Sequence, residues 1–463
     1  MKRNTTNDNL INTTYIFIVL FGLLMVYLLF FVAFESNDII DNSYNKRIDK
    51  LSTYVERGSI YSSNMDILAA NDEEGNRYYP YGSLFSHVVG STAMGNTGLE
   101  STYNYKLLTS NANAVKKFVN ELSGEKHPGN SIVTTLDLEM TRACKEAIGN
   151  YNGSIIVMNP KTGDVISMVS NPDYDPNTLK EQWDELSKSE NGELLNRATC
   201  GQYTPGSVFK IFTLYDYISE NKKIYEKYNF TCKGTLDFGD YSISCSNKIW
   251  HGNEDLITSF ANSCNCSFVN LSRNITNESL AKVCKKLLFN SDLPIEIEYK
   301  KSTFSLTGSD TDFLKNQTVI GQGKTLVTPM HMIMVMNGIA NDGILMKPRF
   351  VTSVIDYNRK TIEEYNTNEY TTLFTKEESA LIKEYLRKVV TNGTAASMNS
   401  SDYTLYGKTG TAQIDDNGNV NSWFLGFVEK NDKTYTICVV IEKVNENNAP
   451  AKDIAKNVIL KLQ

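Results

Sequence analysis

Apolar residues follow three different rhythms along this chain. Over residues 15–34, YIFIVLFGLLMVYLLFFVAF, there is no alternation and no charge. About 20 residues rising roughly 1.5 Å each span the ~30 Å hydrocarbon layer of a bilayer. Lys2 and Arg3 precede this run, and Glu35, Asp38 and Asp41 come after it. The positive-inside tendency predicts a cytoplasmic tail over 1–14, a transmembrane anchor over 15–34 and an extracytoplasmic remainder. A cleaved signal peptide would have a shorter apolar core and an A-x-A-like site, and VAFESN is a poor version of one.

The second rhythm has period two and occurs near both ends of the predicted extracytoplasmic region. NSIVTTLDLEMTRACKEAI passes from a strand-like run into an amphipathic helix. In SIIVMNPKTGDVISMVS, two β-rich runs, 154–158 and 164–170, flank Asn-Pro-Lys-Thr-Gly and predict a hairpin. Far downstream, LYGKTGTAQ, NSWFLGFVE and KTYTICVVIEK predict three successive strands, and APAKDIAKNVILKL a closing helix. The third rhythm is helical and dominates 177–340. VTPMHMIMVMNGIANDG carries clear boundaries: Thr328 as N-cap, Pro329 at the first helical position and Gly343 beyond the end.

Strands at both ends with helices between predict a mixed α/β (α+β) fold, with one antiparallel sheet assembled from distant segments and covered by helices. Residues 35–135 are polar and turn-rich, as in ANDEEGN and GSTAMGNTG. They predict a small α+β module, too short for a second large enzyme, with SGEKHPGN (123–130) as a linker to a larger domain over 136–463.

Composition narrows the picture. A net charge of −7 does not favour nucleic acid or an anionic membrane surface as partner. Of eight cysteines, only Cys232 and Cys245 flank a predicted hairpin, CKGTLDFGDYSISC. A disulfide there and a pair of reduced thiols both remain open. With no C-x-x-C and four scattered histidines, the sequence predicts no metal site and no cofactor.

The triplet Lys-Thr-Gly occurs twice, as Lys161-Thr162-Gly163 and as Lys408-Thr409-Gly410. The first sits in the predicted hairpin loop and reads as a turn, with Lys161 in solvent and Gly163 supplying the unusual backbone angle. The second lies on a strand that Gly407 and Gly410 leave bare, so that a substrate backbone could lie alongside it. Gly407-Lys408-Thr409 also looks like the end of a phosphate-binding loop. However, Asp402 stands where that loop needs its first glycine.

In YTPGSVFKIFTLYDYI, Ser207 would open an amphipathic helix with Lys210 three residues on, on the same face. A serine hydroxyl needs a base beside it, and a lysine amine can be that base only with a lowered pKa. In ANSCNCSF, Ser263 and Asn265 flank Cys264 and could point into one cleft. Each pattern alone is weak: a capping serine, a surface lysine or a solvated loop would look the same. The ordered set S-x-x-K, S-x-N, K-T-G is a strong joint signal, known from penicillin-binding proteins and class A β-lactamases.

On these residues the chain resembles the monofunctional, class B penicillin-binding proteins. The resemblance extends through NRATCGQYTPGSVFKIFT, IWHGNEDLITSFANSCNCSF, GQGKTLVTPMHMIMVMNGIANDG, NGTAA and YGKTGTAQ with SWFLGF after it. Upstream it includes ERGSIYSSNMDILAA, HVVGSTAMGNTGLESTYNYKL and MNPKTGDVISMVSNPDYDPN, and so covers about residues 55–463. It departs from the family in YSSNMD, where an Asp-Arg-Asn-Gly is usual, and in a short N-terminal pedestal.

The resemblance implies a penicillin-binding transpeptidase fold: an antiparallel five-stranded sheet flanked by helices, a helical subdomain and an N-terminal pedestal. It implies a peptidoglycan D,D-transpeptidase acting on stem peptides that end in D-Ala-D-Ala, inhibited by β-lactams, with a polytopic membrane glycan polymerase as partner. Ser207 would be acylated, with Lys210 as general base. Ser263 would relay a proton and Asn265 would hold the acyl amide. Lys408 would supply positive charge and, with Thr409 beside Gly410, bind the terminal carboxylate. Backbone N–H groups of Ser207 and Thr411 would form the oxyanion hole. Cys264 would be a packing residue. Trp423, Phe424, Tyr203 and Gln413 remain undecided between cleft and core. A serine β-lactamase, a β-lactam sensor and a non-catalytic wall scaffold are the competing readings.

Overall fold

The structure is a computed structural model that describes residues 5–31, 51–415 and 417–462. Residues 15–30 of the uncharged run lie in the helix Thr5–Phe30. Its stretch Leu10–Phe30 has a mean hydropathy of 2.3, buries nothing against the rest of the chain, and is long and apolar enough to cross a membrane. Residues 32–34 of the predicted anchor lie outside the described residues.

The two period-two regions meet in one antiparallel sheet. Its strands are β1 (Gly153–Met158), β2 (Val165–Asn171), β3 (Thr404–Gln413), β4 (Asn419–Lys430) and β5 (Lys433–Asn445). Their spatial order is β3-β4-β5-β1-β2, so the C-terminal meander closes onto the early hairpin through pairs such as Val439 with Ile155. Every residue of β1 is buried, which requires cover on both faces. The helix Pro329–Ala340, buried along its whole length, packs on β4, β5 and β1. Thr328 caps it by accepting from the His331 N–H, as its sequence predicts. The helices Leu138–Ile148 and Ala451–Lys461 pack on each other and on the sheet. The β1–β2 loop is the turn expected of the first Lys-Thr-Gly. Gly163 has φ 79 there, and Lys161 is exposed. Strand β3 is an edge strand.

The pedestal is built around a buried charge cluster. Glu100, fully buried, takes Arg57 Nε on one carboxylate oxygen and Arg77 Nε on the other, each at 2.6 Å. Burial alone would raise its pKa. The two guanidiniums more than offset that and hold it below the usual carboxylate range. Where YSSNMD replaces the family's turn, a turn still forms. Ser62 N–H donates to Asp66 O, and the hydroxyl donates to Asp66 Oδ2, so Ile60–Tyr61 and Ile67–Asn71 pair across it.

The predicted linker is not loose. His127–Pro128 pairs with Val55–Glu56, and Gly129 N–H donates to Glu56 O. Nor does the pedestal sheet stop at residue 135. Ser131–Thr134 pairs with Ile60–Tyr61 on one side and with Val351–Ile355, from the larger unit, on the other.

Candidate active site

Ser207 does not open the α-helix. Gly206–Phe209 forms a tight 3-10 turn, and the α-helix runs from Lys210 to Glu220. The turn is set by Gly206, whose φ of 55 favours a residue without a side chain. A Cβ on Gly206 would come within 2.6 Å of Thr411 O on β3. One on Gly410 would lie 3.1 Å from Val208 Cγ1 and 3.2 Å from Trp423 Cβ. On Gly407 it would lie 2.6 Å from the Phe424 ring. These glycines let the Gly206–Phe209 turn and the aromatic side chains of β4 press against β3.

Lys210 is fully buried, and its amine lies among oxygens from two motifs. Nζ donates to Ser207 Oγ at 3.1 Å, Ser263 O at 2.7 Å, Ser263 Oγ at 3.2 Å and Asn265 Oδ1 at 2.7 Å. Ser263 has a left-handed backbone (φ 57), which lets one residue offer both its carbonyl and its hydroxyl. Asn265 begins the helix Asn265–Leu271, and its Nδ2 donates to Ser244 O at 2.9 Å, fixing Oδ1 toward Lys210. Burial pulls Lys210 down to about 8, against the nearby thiols and Glu254, which act the other way.

Lys408 is also fully buried. Nζ donates to Thr409 O at 3.2 Å and lies 5.6 Å from the Phe260 ring centroid, as Lys210 lies 5.4 Å from that of Phe268. Burial first, and then the positive Lys210, hold Lys408 well below the usual lysine range. Among the described residues its link to Lys210 is electrostatic, not a hydrogen bond. Thr409 Oγ1 meets Thr394 Oγ1 at 2.6 Å. Thr394 belongs to the NGTAA stretch, but nothing in its local pattern marks it as a neighbour of Lys-Thr-Gly. The geometry thus joins Ser207, Lys210, Ser263 and Asn265 in one hydrogen-bond network, with Lys408 electrostatically coupled and Thr409, Gly410 and Thr411 along the flanking strand.

Trp423 and Phe424 belong to the core. Both are buried, and Trp423 Nε1 donates to Thr204 O at 3.1 Å, bracing the chain just before Ser207. Tyr203 is buried with its hydroxyl on Glu442 Oε1 at 2.7 Å, and Gln413 is exposed. No disulfide joins the eight cysteines, and the sulfurs of Cys232 and Cys245 lie 3.7 Å apart. The sequence reading did not foresee one grouping of donor atoms. Donor atoms of Cys232, Cys245, His251 and Cys264 all lie within 4.8 Å of one another. Cys264 is therefore more than packing. Its sulfur accepts from Ser267 N–H at the helix start and sits beside Cys245.

Known proteins resemble this chain over most of its length. Residues 153–460 match the penicillin binding protein transpeptidase domain, and residues 57–132 match the penicillin binding protein A dimerisation domain. The chain is 29% identical to stage V sporulation protein D of Bacillus subtilis over 409 residues, covering 80% of this chain and 60% of that protein. It is 25% identical to peptidoglycan D,D-transpeptidase PbpA of Mycolicibacterium smegmatis over 392 residues, 79% of each. The chain spans about 60% of the length of the first curated relatives it matches. Among solved structures, the D,D-transpeptidase domain of a peptidoglycan glycosyltransferase from Eggerthella lenta superposes with a TM-score of 0.77 at 27% identity, covering 88% of this chain and 97% of that one. The imipenem acyl-enzyme complex of penicillin-binding protein A from M. tuberculosis shares the fold, with a TM-score of 0.78 at 22% identity over 89% of this chain and 99% of that one.

Proposed function

Since the chain belongs to the penicillin-binding protein transpeptidase family, we propose that it is a membrane-anchored peptidoglycan D,D-transpeptidase that cross-links stem peptides through a Ser207 acyl-enzyme. The observation that supports this most directly is the buried Lys210 amine, in hydrogen-bond reach of Ser207 Oγ and of both side chains of the second motif. A base must be uncharged to accept a proton, and burial of Lys210 favours its uncharged form.

In this reading Lys408 and Thr409 receive the terminal carboxylate of a D-Ala-D-Ala stem. Two buried ammonium groups this close oppose each other. A carboxylate at Lys408 stabilises the charge there and so favours loss of the proton on Lys210. Lys210 then accepts the Ser207 hydroxyl proton while Oγ attacks the penultimate D-Ala carbonyl carbon. The oxyanion faces the backbone N–H groups of Ser207 and Thr411. The C–N bond breaks, the proton passes through Ser263 to the leaving D-Ala amine, and the acyl group stays on Ser207 with Asn265 holding its amide. An acceptor amine of a neighbouring stem then attacks the ester, forms the cross-linking amide and returns the proton to Ser207. A β-lactam enters the same sequence, but its leaving group stays tethered and the ester persists.

The deciding experiment uses the full chain in detergent with fluorescent penicillin. A stable label that disappears in Ser207→Ala supports the proposal. Rapid release of label from the wild type points to a β-lactamase, and absence of label to a scaffold. The apolar segment 15–34 would hold the catalytic unit on the outer face and contact a polytopic glycan polymerase. Co-purification with such a polymerase should disappear when that segment is replaced by an unrelated apolar helix; retention removes this part of the reading.

A further inference from the structure

Between the nucleophile helix and the second motif lies a small lobe with almost no apolar core. Asn229–Cys232 pairs with Gly252–Asp255, and Thr235–Asp237 with Ser242–Ser244. The strands are three or four residues long, and Ile249 and Trp250 between them are exposed. What is buried inside is a cluster of four cysteines, Cys232, Cys245, Cys264 and Cys266, with Phe230 and Leu236 packed against it. Hairpins this short are marginal without a staple.

The geometry points to a closed, structural Zn²⁺ site formed by Cys232, Cys245, His251 and Cys264, which clamps the second catalytic motif beneath Lys210. Four donors within 4.8 Å of one another suit a single ion. Tetrahedral zinc with Zn–S near 2.3 Å and Zn–N near 2.0 Å sets sulfur atoms about 3.8 Å apart and sulfur to nitrogen about 3.5 Å. The sulfur of Cys245 lies 3.7 Å from those of Cys232 and Cys264, and Cys232 Sγ lies 3.5 Å from His251 Nδ1.

Backbone donors add a second, independent observation. Gly234 N–H donates to Cys232 Sγ at 3.3 Å and Ser267 N–H to Cys264 Sγ at 3.4 Å, as suits sulfur in its thiolate form. Gly234 has φ 82, and a Cβ there would stand 2.4 Å from Lys248 O, so the chain is turned tightly around the Cys232 sulfur. Cys266 differs: its thiol donates to Ile243 O, which leaves it beside the site as a protonated spectator. Three thiolates and a neutral imidazole with no open position are a structural zinc set, not a catalytic one. Binding would release the thiol protons that the unfolded chain carries.

The site reaches the chemistry through Cys264. Its two chain neighbours, Ser263 and Asn265, hold the Lys210 amine, and Asn265 Nδ2 is held by Ser244, next to Cys245. A metal fixing Cys245 and Cys264 fixes both sides of that contact. These cysteines and His251 are positioning residues.

The test is made on the full chain, purified in detergent from zinc-supplemented cells. The expected result is one zinc per chain by elemental analysis, with an X-ray absorption spectrum of three sulfur ligands and one nitrogen. Cys232→Ser should retain less than a tenth of the zinc, His251→Cys should keep it, and Cys200→Ser, remote from the lobe, should match the wild type. Zinc-free Cys232→Ser should also be acylated by penicillin at least tenfold more slowly, with the loss in the acylation step and not in initial binding. Three results overturn the site, and none depends on a variant folding. They are wild-type protein without metal whose four thiols alkylate, a disulfide between any two of them in the non-reduced peptide map, and iron in place of zinc. Full acylation rate in zinc-free Cys232→Ser overturns the positioning role.

Discussion

Lys210 Nζ donates to Asn265 Oδ1 across 2.7 Å, the shortest side-chain contact that the buried amine makes. The amide cannot turn away, because its nitrogen is engaged by Ser244 O. A hydrogen bond to a charged group is worth about 1.5–3 kcal/mol, or roughly 10- to 150-fold in a rate that depends on it. Asn265→Ala should slow acylation by penicillin within that range. Asn265→Asp would set a carboxylate beside the amine, favour its charged form and move the acylation profile to higher pH. Stopped-flow acylation against pH separates the two effects.

The wild-type profile itself has a predicted sign. Lys210 is depressed to about 8, and only its uncharged form is a base. The acylation rate should therefore climb as pH rises and level off above about 8. By pH 6 it should have fallen roughly a hundredfold, one decade per pH unit. A flat profile between pH 6 and 9 would contradict Lys210 as base.

Gly206 makes a steric prediction. Any side chain there must adopt φ 55 and place Cβ 2.6 Å from Thr411 O. Left-handed backbone costs a non-glycine residue about 1–2 kcal/mol before the collision is counted. Gly206→Ala should lower the melting temperature and also separate the turn from β3, slowing acylation more than tenfold. Gly418→Ala, at an open turn with φ 78 and no atom within 4 Å of the added Cβ, should lose only the backbone cost and keep its acylation rate.

How much of the molecule is legible in its sequence depends on the range of the interactions. The hairpin around Gly163, the cap at Thr328 and the three C-terminal strands are set by neighbours in sequence, and the hydrophobic pattern locates them. The S-x-x-K, S-x-N and K-T-G residues are legible as a joint pattern. Their approach is not, because it is made by backbone contacts such as Gly206 to Thr411, which leave no periodicity. The close packing at Gly410 is hidden for the same reason: a missing side chain does not say which neighbour fills the space. Cys232, Cys245, His251 and Cys264 escape a sequence reading because each comes from a different piece of backbone and none is spaced as a ligand doublet. Trp423 cannot be assigned from sequence, since a buried strand and a cleft wall share the same composition.

The pedestal gives the last prediction. Glu100 joins segments far apart in sequence, through Arg57 and Arg77, and Arg57 also donates to Asn104 Oδ1 and to Glu100 O. Neutralising the acid in Glu100→Gln keeps the shape but leaves two buried guanidiniums without a counter-charge. Breaking a buried pair in this way costs about 3–5 kcal/mol. The pedestal should then unfold at lower temperature, as measured by hydrogen exchange of Ile60 and Leu99, while penicillin acylation of the folded fraction stays within about twofold, because none of these residues touches the catalytic network. The sign of the shift sets the dependence on pH. Glu100 is depressed in the folded chain, so its stabilisation is complete above the ordinary carboxylate range and is lost as pH falls through the lowered value. The wild type should thus lose pedestal protection at acid pH, whereas Glu100→Gln, already without the charge, should show a weaker acid dependence. Equal acid sensitivity in the two proteins would mean that other groups govern the pedestal.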